Sequence, residues 1–291
     1  MKSAVVAIVG RPSSGKSTLL NALCGGKVSI VSPVPQTTRN RVRGIVNAAE
    51  GQIVFIDTPG YHISEKKLNK YMTDLVVSTL AEVDAVLYVV DGTRPFGAEE
   101  RAILDVLGKA SRPTVACLNK SDASGASWSE ASAAITASLP GVPMLEISAL
   151  KETGLDELRA RLFAVCPEGE QLYPDDYYTD QTPDFRVSEI VREKAMLLTR
   201  EEIPHSLYVR IEDLEMRDDG AFMWARGFIC VERESQKGIL VGRAGERIKT
   251  ITRQAEEELS EIFPYPVKLD LRVKVDREWR KRDPLLRKMI R

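Results

Sequence analysis

Apolar positions in this chain follow two periods that alternate along its length. As far as Pro167, short runs rich in β-branched residues give way repeatedly to stretches whose apolar residues recur every three or four positions, which predicts strands alternating with helices. The runs are AVVAIVG, RVRGIVNA, QIVFIDTPG, DAVLYVVDG, PTVACLNKSD and PMLEISAL, and the intervening periodicity predicts helices over 17–24, 68–80, 98–107, 128–138 and 154–164. This order points to an α/β domain, a sheet with helices on both faces. The second run is separated from the third only by the turn-like AAEG, so it should pair antiparallel at the sheet edge, giving a mixed, mainly parallel sheet over residues 1–168.

Between Pro167 and Pro183 the sequence PEGEQLYPDDYYTDQTP carries neither period and reads as an ordered linker, set here at 169–184. Beyond it the pattern predicts a helix over 187–198, strands over 207–214 and 221–231, a glycine loop, a long helix over 246–262, a third strand over 267–275 and a basic tail. That is an α+β domain occupying 185–291. With 291 residues and 43% hydrophobic content the chain can bury two cores. A net charge of -1 gives no global attraction to polyanions, so any such binding must come from local charge asymmetry. Cys24, Cys117, Cys166 and Cys230 lack zinc or disulfide-framework spacing and fit a reducing cytoplasm. The opening residues lack the features of a secretory signal, and no apolar run reaches membrane-spanning length.

Residues 10–17 read GRPSSGKS, which matches GxxxxGK[ST] after a strand and before a helix, the context that this motif needs. A loop of Gly10, Arg11, Pro12, Ser13, Ser14 and Gly15 lets backbone N–H groups wrap phosphates at a helix N-terminus, with Thr18 in the same cradle. Lys16 would neutralise the β- and γ-phosphates, and the Ser17 hydroxyl would ligate Mg2+. Asp57 and Gly60, in DTPG at the end of the third run, would hold the metal shell and sense the γ-phosphate, and Thr38 of QTTR would close over Mg2+. Asn119, Lys120 and Asp122 of NKSD lie where ligands of open α/β sheets collect. A carboxylate at Asp122 accepts from guanine N1–H and its exocyclic amine, which adenine does not offer, so GTP and GDP with Mg2+ are the expected cofactors. Main-chain N–H groups of Ser148, Ala149 and Leu150 would back the base. The catalytic set expected is Lys16, Ser17, Thr38, Asp57 and Gly60.

Tyr61 follows the DTPG glycine where Ras-like GTPases carry a water-orienting glutamine, so intrinsic hydrolysis should be slow. His62 beside it reads as a solvated loop residue and is left outside the catalytic set.

In the second domain, SQKGILVGRAGERIKTI places a GxxG loop, Gly242, Arg243, Ala244 and Gly245, between helical turns. KH domains use such a loop to approach a sugar-phosphate backbone while an apolar groove takes about four unpaired bases. Lys237, Ile239, Val241, Arg247, Ile248 and Lys249 complete the expected RNA-binding set, and Ile239, Leu240, Val241 and Ile248 should also serve the core. The order helix, strand, strand, helix, helix, strand resembles a type II KH domain. From Lys268 to Arg291, ten Lys and Arg face four Asp and Glu in a tail that also holds Trp279, a composition suited to phosphate contact or to a solvated amphipathic helix.

Taken in order, the nucleotide motifs resemble the bacterial GTPases of the translation-factor-related class that lack the glutamine. Within that class PQTTRNR, FRVSEIVREKAMLLTREEIPHSLYV and VKLDLRVKVDREWRKRDPLL resemble the Era family of ribosome-assembly GTPases across essentially the whole chain. The resemblance implies binding near the 3' end of small-subunit (16S) rRNA and assistance in assembly of the 30S ribosomal subunit. It also implies peripheral membrane contact in some members; the chain itself is expected to be a cytoplasmic monomer. Family members commonly read GRPNxGKS, with the asparagine associated with potassium in related GTPases; Ser13 stands there in this chain, so potassium stimulation is not carried over. On the residues alone two other functions stay open: an RNA-binding scaffold with a structural nucleotide, and a GTPase acting on another RNA.

Overall fold

The structure is a computed structural model describing residues 1–290. The chain forms two compact units: one of Met1–Ser29, Thr38–Asp180 and the residues from Arg287 onward, the other of Ile30–Thr37 and Gln181–Leu286.

In the first unit the elements run β1 (Lys2–Val9), α1 (Lys16–Cys24), β2 (Val42–Ala48), β3 (Gly51–Asp57), α2 (Lys67–Glu82), β4 (Ala85–Asp91), α3 (Ala98–Ala110), β5 (Thr114–Asn119), α4 (Ser129–Ser138), β6 (Met144–Glu146) and α5 (Leu155–Val165). The strands form one sheet in the order β2-β3-β1-β4-β5-β6, with β2 antiparallel to β3 and the other pairings parallel. This is the mixed, mainly parallel sheet expected. Alternate strand residues such as Ala7, Val9, Val86, Tyr88, Ala116 and Leu118 share one core with Val76, Leu80, Ile103 and Ile135 of α2, α3 and α4. The intervening positions, including Val6, Ile8, Leu87 and Cys117, are equally buried, which explains the unbroken apolar runs.

Residues 169–180, expected as linker, belong to the first unit. The buried Gln52 side chain accepts from the main-chain N–H groups of Leu172 (3.0 Å) and Tyr173 (2.9 Å) and donates to the Tyr173 carbonyl. The Ile45 N–H of edge strand β2 donates to the Tyr178 carbonyl at 2.9 Å, so this aperiodic stretch satisfies and shields a sheet edge that would otherwise offer free backbone groups.

The second unit contains α6 (Pro183–Leu197), α7 (Ile203–Ser206), β7 (Tyr208–Arg217), β8 (Phe222–Val231), α8 (Glu234–Val241), α9 (Glu246–Ile262) and β9 (Val267–Val275), and a last helix, α10 (Asp283–Met289), ends the described chain. β8 lies centrally, antiparallel to β7 and parallel to β9. Val187 and Val191 of α6, Ala255 and Leu259 of α9 and Met223, Ala225 and Ile229 of β8 form its core, together with Ile30 from the segment 30–37.

Within the basic tail, Trp279 is a core residue rather than a surface one. Trp279 is fully buried, its indole N–H donates to the Ser206 carbonyl at 2.8 Å, and its ring packs on Tyr208 at a 4.9 Å centroid distance. Arg280 pairs with Glu232, Lys281 with Glu278 at 2.5 Å, and Arg282 with Asp276; Arg291 lies outside the described residues. Trp279→Ala is expected to destabilise the second unit by about 3–5 kcal/mol, the usual range for deleting a buried large aromatic, read as an earlier urea transition by circular dichroism.

Candidate nucleotide and RNA sites

The nucleotide motifs converge because strand register brings them to one end of the sheet. Ile8 of β1 and Val42 of β2 both lie opposite Asp57 on β3, so the phosphate loop and the segment leading into β2 start beside that carboxylate. Asp57 is fully buried. Its Oδ2 accepts from the hydroxyls of Ser17 (2.6 Å), Ser29 (2.9 Å) and Thr38 (3.2 Å), and the Ser17 and Thr38 hydroxyls lie 2.8 Å apart. Its Oδ1 is buried with no hydrogen-bond partner. Burial pushes the carboxyl upward from its ordinary range, while Lys16 and the three hydroxyls pull the other way. An unpartnered buried carboxylate oxygen beside hard hydroxyl donors suits Mg2+, which prefers oxygen ligands. Ser17, Thr38 and Asp57 are therefore brought together as expected, joined by Ser29.

Lys16 is buried, and its Nζ donates to the carbonyls of Gly10 (3.0 Å) and Arg11 (2.9 Å). Burial, only partly offset by the nearby Asp57, pulls its pKa down to about 8. The DTPG segment is tied to the same loop: Thr58 Oγ1 donates to the Ile8 carbonyl and the Tyr61 N–H to the Gly10 carbonyl at 3.1 Å. The Tyr61 ring is partly buried against the adjoining core, and His62 Nδ1 pairs with Glu99. Arg11 pairs with Glu100 on α3 at 2.8 Å.

On the base side, buried Asn119 is a bracket. Its Nδ2 donates to the Ser14 carbonyl and its Oδ1 accepts from the Ala149 N–H, both at 2.9 Å. Gly15 is required beneath it, since its φ of 95° is left-handed and a Cβ there would sit 2.3 Å from that amide nitrogen. Lys120 donates to the Ser13 carbonyl (2.9 Å) and to Asp91 (2.7 Å). Asp91 stays below the ordinary carboxylate range: its burial, which acts upward, is outweighed by hydrogen bonds from Lys120 and Thr93. Ser148 Oγ donates to Asp122 Oδ1 at 2.5 Å, while Leu150 is exposed.

In the second unit Gly242 and Gly245 flank a turn between α8 and α9, with Arg243 and Ala244 exposed at its tip. Gly242 has a φ of 75°, and a Cβ would stand 2.8 Å from Arg247 Cβ and 3.0 Å from its main-chain nitrogen. The Arg247 guanidinium donates to the Ile239 carbonyl, across the loop. α9 starts without a side-chain cap, so its N-terminal dipole faces the loop. Leu240 is fully buried, Ile239 is 45% exposed, Val241, Ile248 and Lys237 are half-buried, and Lys249 is exposed. Only Leu240 of the apolar set thus serves wholly as core.

Known proteins bear on both sites. Residues 5–120 match the 50S ribosome-binding GTPase family and residues 202–280 the KH domain family. The chain is 51% identical to GTPase Era of Treponema denticola over 99% of both chains, and 42% identical to GTPase Era of Borreliella burgdorferi over the whole of both. The chain belongs to the Era family of GTPases. A crystal structure of a single-substitution variant of Aquifex aeolicus Era bound to GDP·AlF4− is 40% identical and superposes with a TM-score of 0.94 over 99% of this chain and 98% of that one. A structure of Era in complex with MgGDPNP and nucleotides 1506–1542 of 16S ribosomal RNA is 39% identical and reaches the same score and coverage.

Two residues of this Era-family site carry no motif signal. Ser29, bound to Asp57, sits in a loop without a recognisable pattern, and Asp91 is legible only as the end of an apolar run. The depressed Lys16 pKa has a measurable consequence. Its unfolded value is 10.5, so between about pH 8 and 10.5 the unfolded chain binds the extra proton and this group's contribution to stability rises with pH. Phosphate favours the charged ammonium, so GDP binding above pH 8 is expected to take up close to one proton and to weaken as pH rises. Calorimetry at pH 9 in buffers of different ionisation enthalpy reads this, and absence of uptake would show that Lys16 is already charged.

Proposed function

We propose that this chain is a GTP-driven switch that binds single-stranded RNA near the 3' end of 16S rRNA and assists assembly of the 30S ribosomal subunit. The observation that carries the nucleotide half is the Asp57 cluster, a buried carboxylate with one unpartnered oxygen amid three hydroxyls. In this reading Ser17, Thr38 and Asp57 hold Mg2+, which when bound neutralises charge on the β- and γ-phosphates. Gly10, Arg11, Pro12, Ser13, Ser14, Gly15 and Thr18 form the phosphate cradle. Lys16 takes the charge developing on the transferring phosphoryl, and the Gly60 N–H reads the γ-phosphate. Asp122 accepts from guanine, held in place by Ser148, while Asn119 and Lys120 fix the loops around it. With Tyr61 packed at the glutamine position, the protein supplies no side chain there to orient water, so hydrolysis is slow.

The RNA half rests on the GxxG turn, where Gly242 and Gly245 let a backbone approach closely, Arg243 and Lys249 meet phosphates, and Ile239, Val241 and Ile248 face bases. The RNA assignment is supported by the Era complex with nucleotides 1506–1542 of 16S ribosomal RNA. Among the described residues no helix is long and apolar enough to cross a membrane, so we read any membrane contact as peripheral.

The test is a titration of a short single strand from the 3' end of 16S rRNA against protein bound to a GTP analogue, to GDP and to no nucleotide. Tighter binding with the GTP analogue, lost in Gly242→Asp, is expected; equal affinity in all three states would overturn the switch, since coupling must show as differential affinity.

A further inference from the structure

Helix α1 reaches Asp57 by two routes. Its first turn carries Ser17, whose hydroxyl donates to Asp57 Oδ2 at 2.6 Å. One turn further on, four residues along the same face, stands Asn21. Asn21 takes hold of the chain as it leaves the helix. Its carbonyl accepts from the Gly26 N–H at 3.1 Å, closing the helix end around Gly25, which is in the left-handed conformation. Its side-chain Oδ1 accepts from the main-chain N–H groups of Val28 (2.9 Å) and Ser29 (2.8 Å), and its Nδ2 donates to the Ser29 carbonyl at 2.8 Å. Ser29 is thus gripped at both its N–H and its carbonyl, and its hydroxyl is delivered to Asp57 Oδ2 at 2.9 Å.

Asn21, Ser29 and Asp57 all belong to the first unit. Ser29 and Asp57 are 2% and 0% exposed, so bulk water is not at hand to replace a donor lost between them. The last torsion of an aspartate is broad, and the carboxylate can turn about it and exchange its two oxygens. Donors from Ser17 and Ser29 on Oδ2 decide which oxygen is engaged, and Oδ1 is left as the buried one without a partner. Ser17 and Thr38 are read as magnesium-shell residues, so their hydroxyls have a second partner when the metal is bound. Ser29 is outside that set, and its hydrogen bond to the carboxylate does not compete with metal ligation.

We propose that Ser29, held by Asn21, is a positioning residue for the magnesium site that acts through Asp57. One helix then carries a shell hydroxyl in its first turn and, through the Asn21 amide, the anchor of the shell carboxylate. The proposal rests on the reading of Ser17 and Asp57 as magnesium-shell residues, and the experiment separates the two.

GDP binding to the full-length protein is measured by calorimetry across a Mg2+ titration and again in EDTA, with the melting temperature alongside. The proteins compared are the parent, Ser29→Ala, Ser29→Cys, Asn21→Ala, Asp57→Asn and the double variant Asn21→Ala/Ser29→Ala. For Ser29→Ala the expected result is a Mg2+ half-saturation raised about tenfold, as for the loss of a hydrogen bond to a charged group. GDP affinity in EDTA should stay within about twofold of the parent, whereas a serine of purely structural importance would lower affinity equally with and without the metal. Asn21→Ala should reproduce the rise and add nothing to it in the double variant, because both act through one hydroxyl. Parental Mg2+ dependence in folded Ser29→Ala, equal losses in Mg2+ and in EDTA, or full additivity in the double variant would overturn the proposal. If Asp57→Asn leaves the Mg2+ dependence unchanged, the reading of the magnesium site fails instead, and this proposal falls with it. Where Ser29→Ala fails to fold, Ser29→Cys decides. It keeps the shape with a weaker donor, so an intermediate Mg2+ requirement supports the proposal, and a parental one from folded protein refutes it.

Discussion

A buried carboxylate on the last residue of a strand is costly, because desolvation opposes its charged form, and the first unit is organised around meeting that cost at Asp57. The register of β1 and β2 against β3 brings two chain segments to this residue. α1 starts with Lys16 and Ser17 beneath it, and the approach to β2 brings Thr38 over it. The hydroxyls of Ser17, Ser29 and Thr38 share Oδ2, which leaves Oδ1 directed into the site with no protein donor. A cation answers that arrangement, whereas replacing the carboxylate by an apolar group would strand three hydroxyls. The same electrostatics keep Lys16 inside: its loss of water is partly offset by the Asp57 charge, and its ammonium is held by the carbonyls of Gly10 and Arg11.

The base side depends on a different device. Asp91 and Asn119 sit in register at the ends of β4 and β5, and each anchors a loop rather than pointing its chemistry outward. Asn119 joins the phosphate loop to the β6 loop through Ser14 and Ala149, and Asp91 holds Lys120, which reaches back to Ser13. Asp122 stands apart from this bracing, with its Oδ1 accepting from the Ser148 hydroxyl.

What was legible in the sequence was what repeats or what a motif spells out. The strand and helix periods placed the elements within a few residues, and α9 and β9 were bounded as found, because Gly245 and the aromatic-proline break after Ile262 interrupt the periodicity sharply. The GxxxxGKS, DTPG and NKSD residues lie together because each ends a buried run. Ser29, Gln52 and Trp279 were not legible as structural residues. Each acts through a hydrogen bond to a group distant in sequence, often main chain, and such bonds leave no period and no motif. Trp279 is the sharpest case: surrounded by basic residues it reads as surface, yet its indole closes on a carbonyl 73 residues away. The stretch 169–180 reads as linker for a related reason, since a chain that covers a sheet edge with backbone groups needs no apolar alternation of its own.

Two motif positions, Ser13 and Tyr61, are explained by backbone conformation and packing. Ser13 has a φ of 64°, in the left-handed region where asparagine is far more at ease than serine. An asparagine at this position would therefore have a backbone reason to be there, independent of any ion, and the loop here holds the same turn with a carbonyl tied down by Lys120. Tyr61 donates its N–H to the Gly10 carbonyl and packs, partly buried, against the core of the first unit, so backbone and side chain together tie the segment after Asp57 to the phosphate loop and the core. The position after Gly60 thus contributes backbone bracing and packing, while the buried Lys16 is the cation at the phosphate loop.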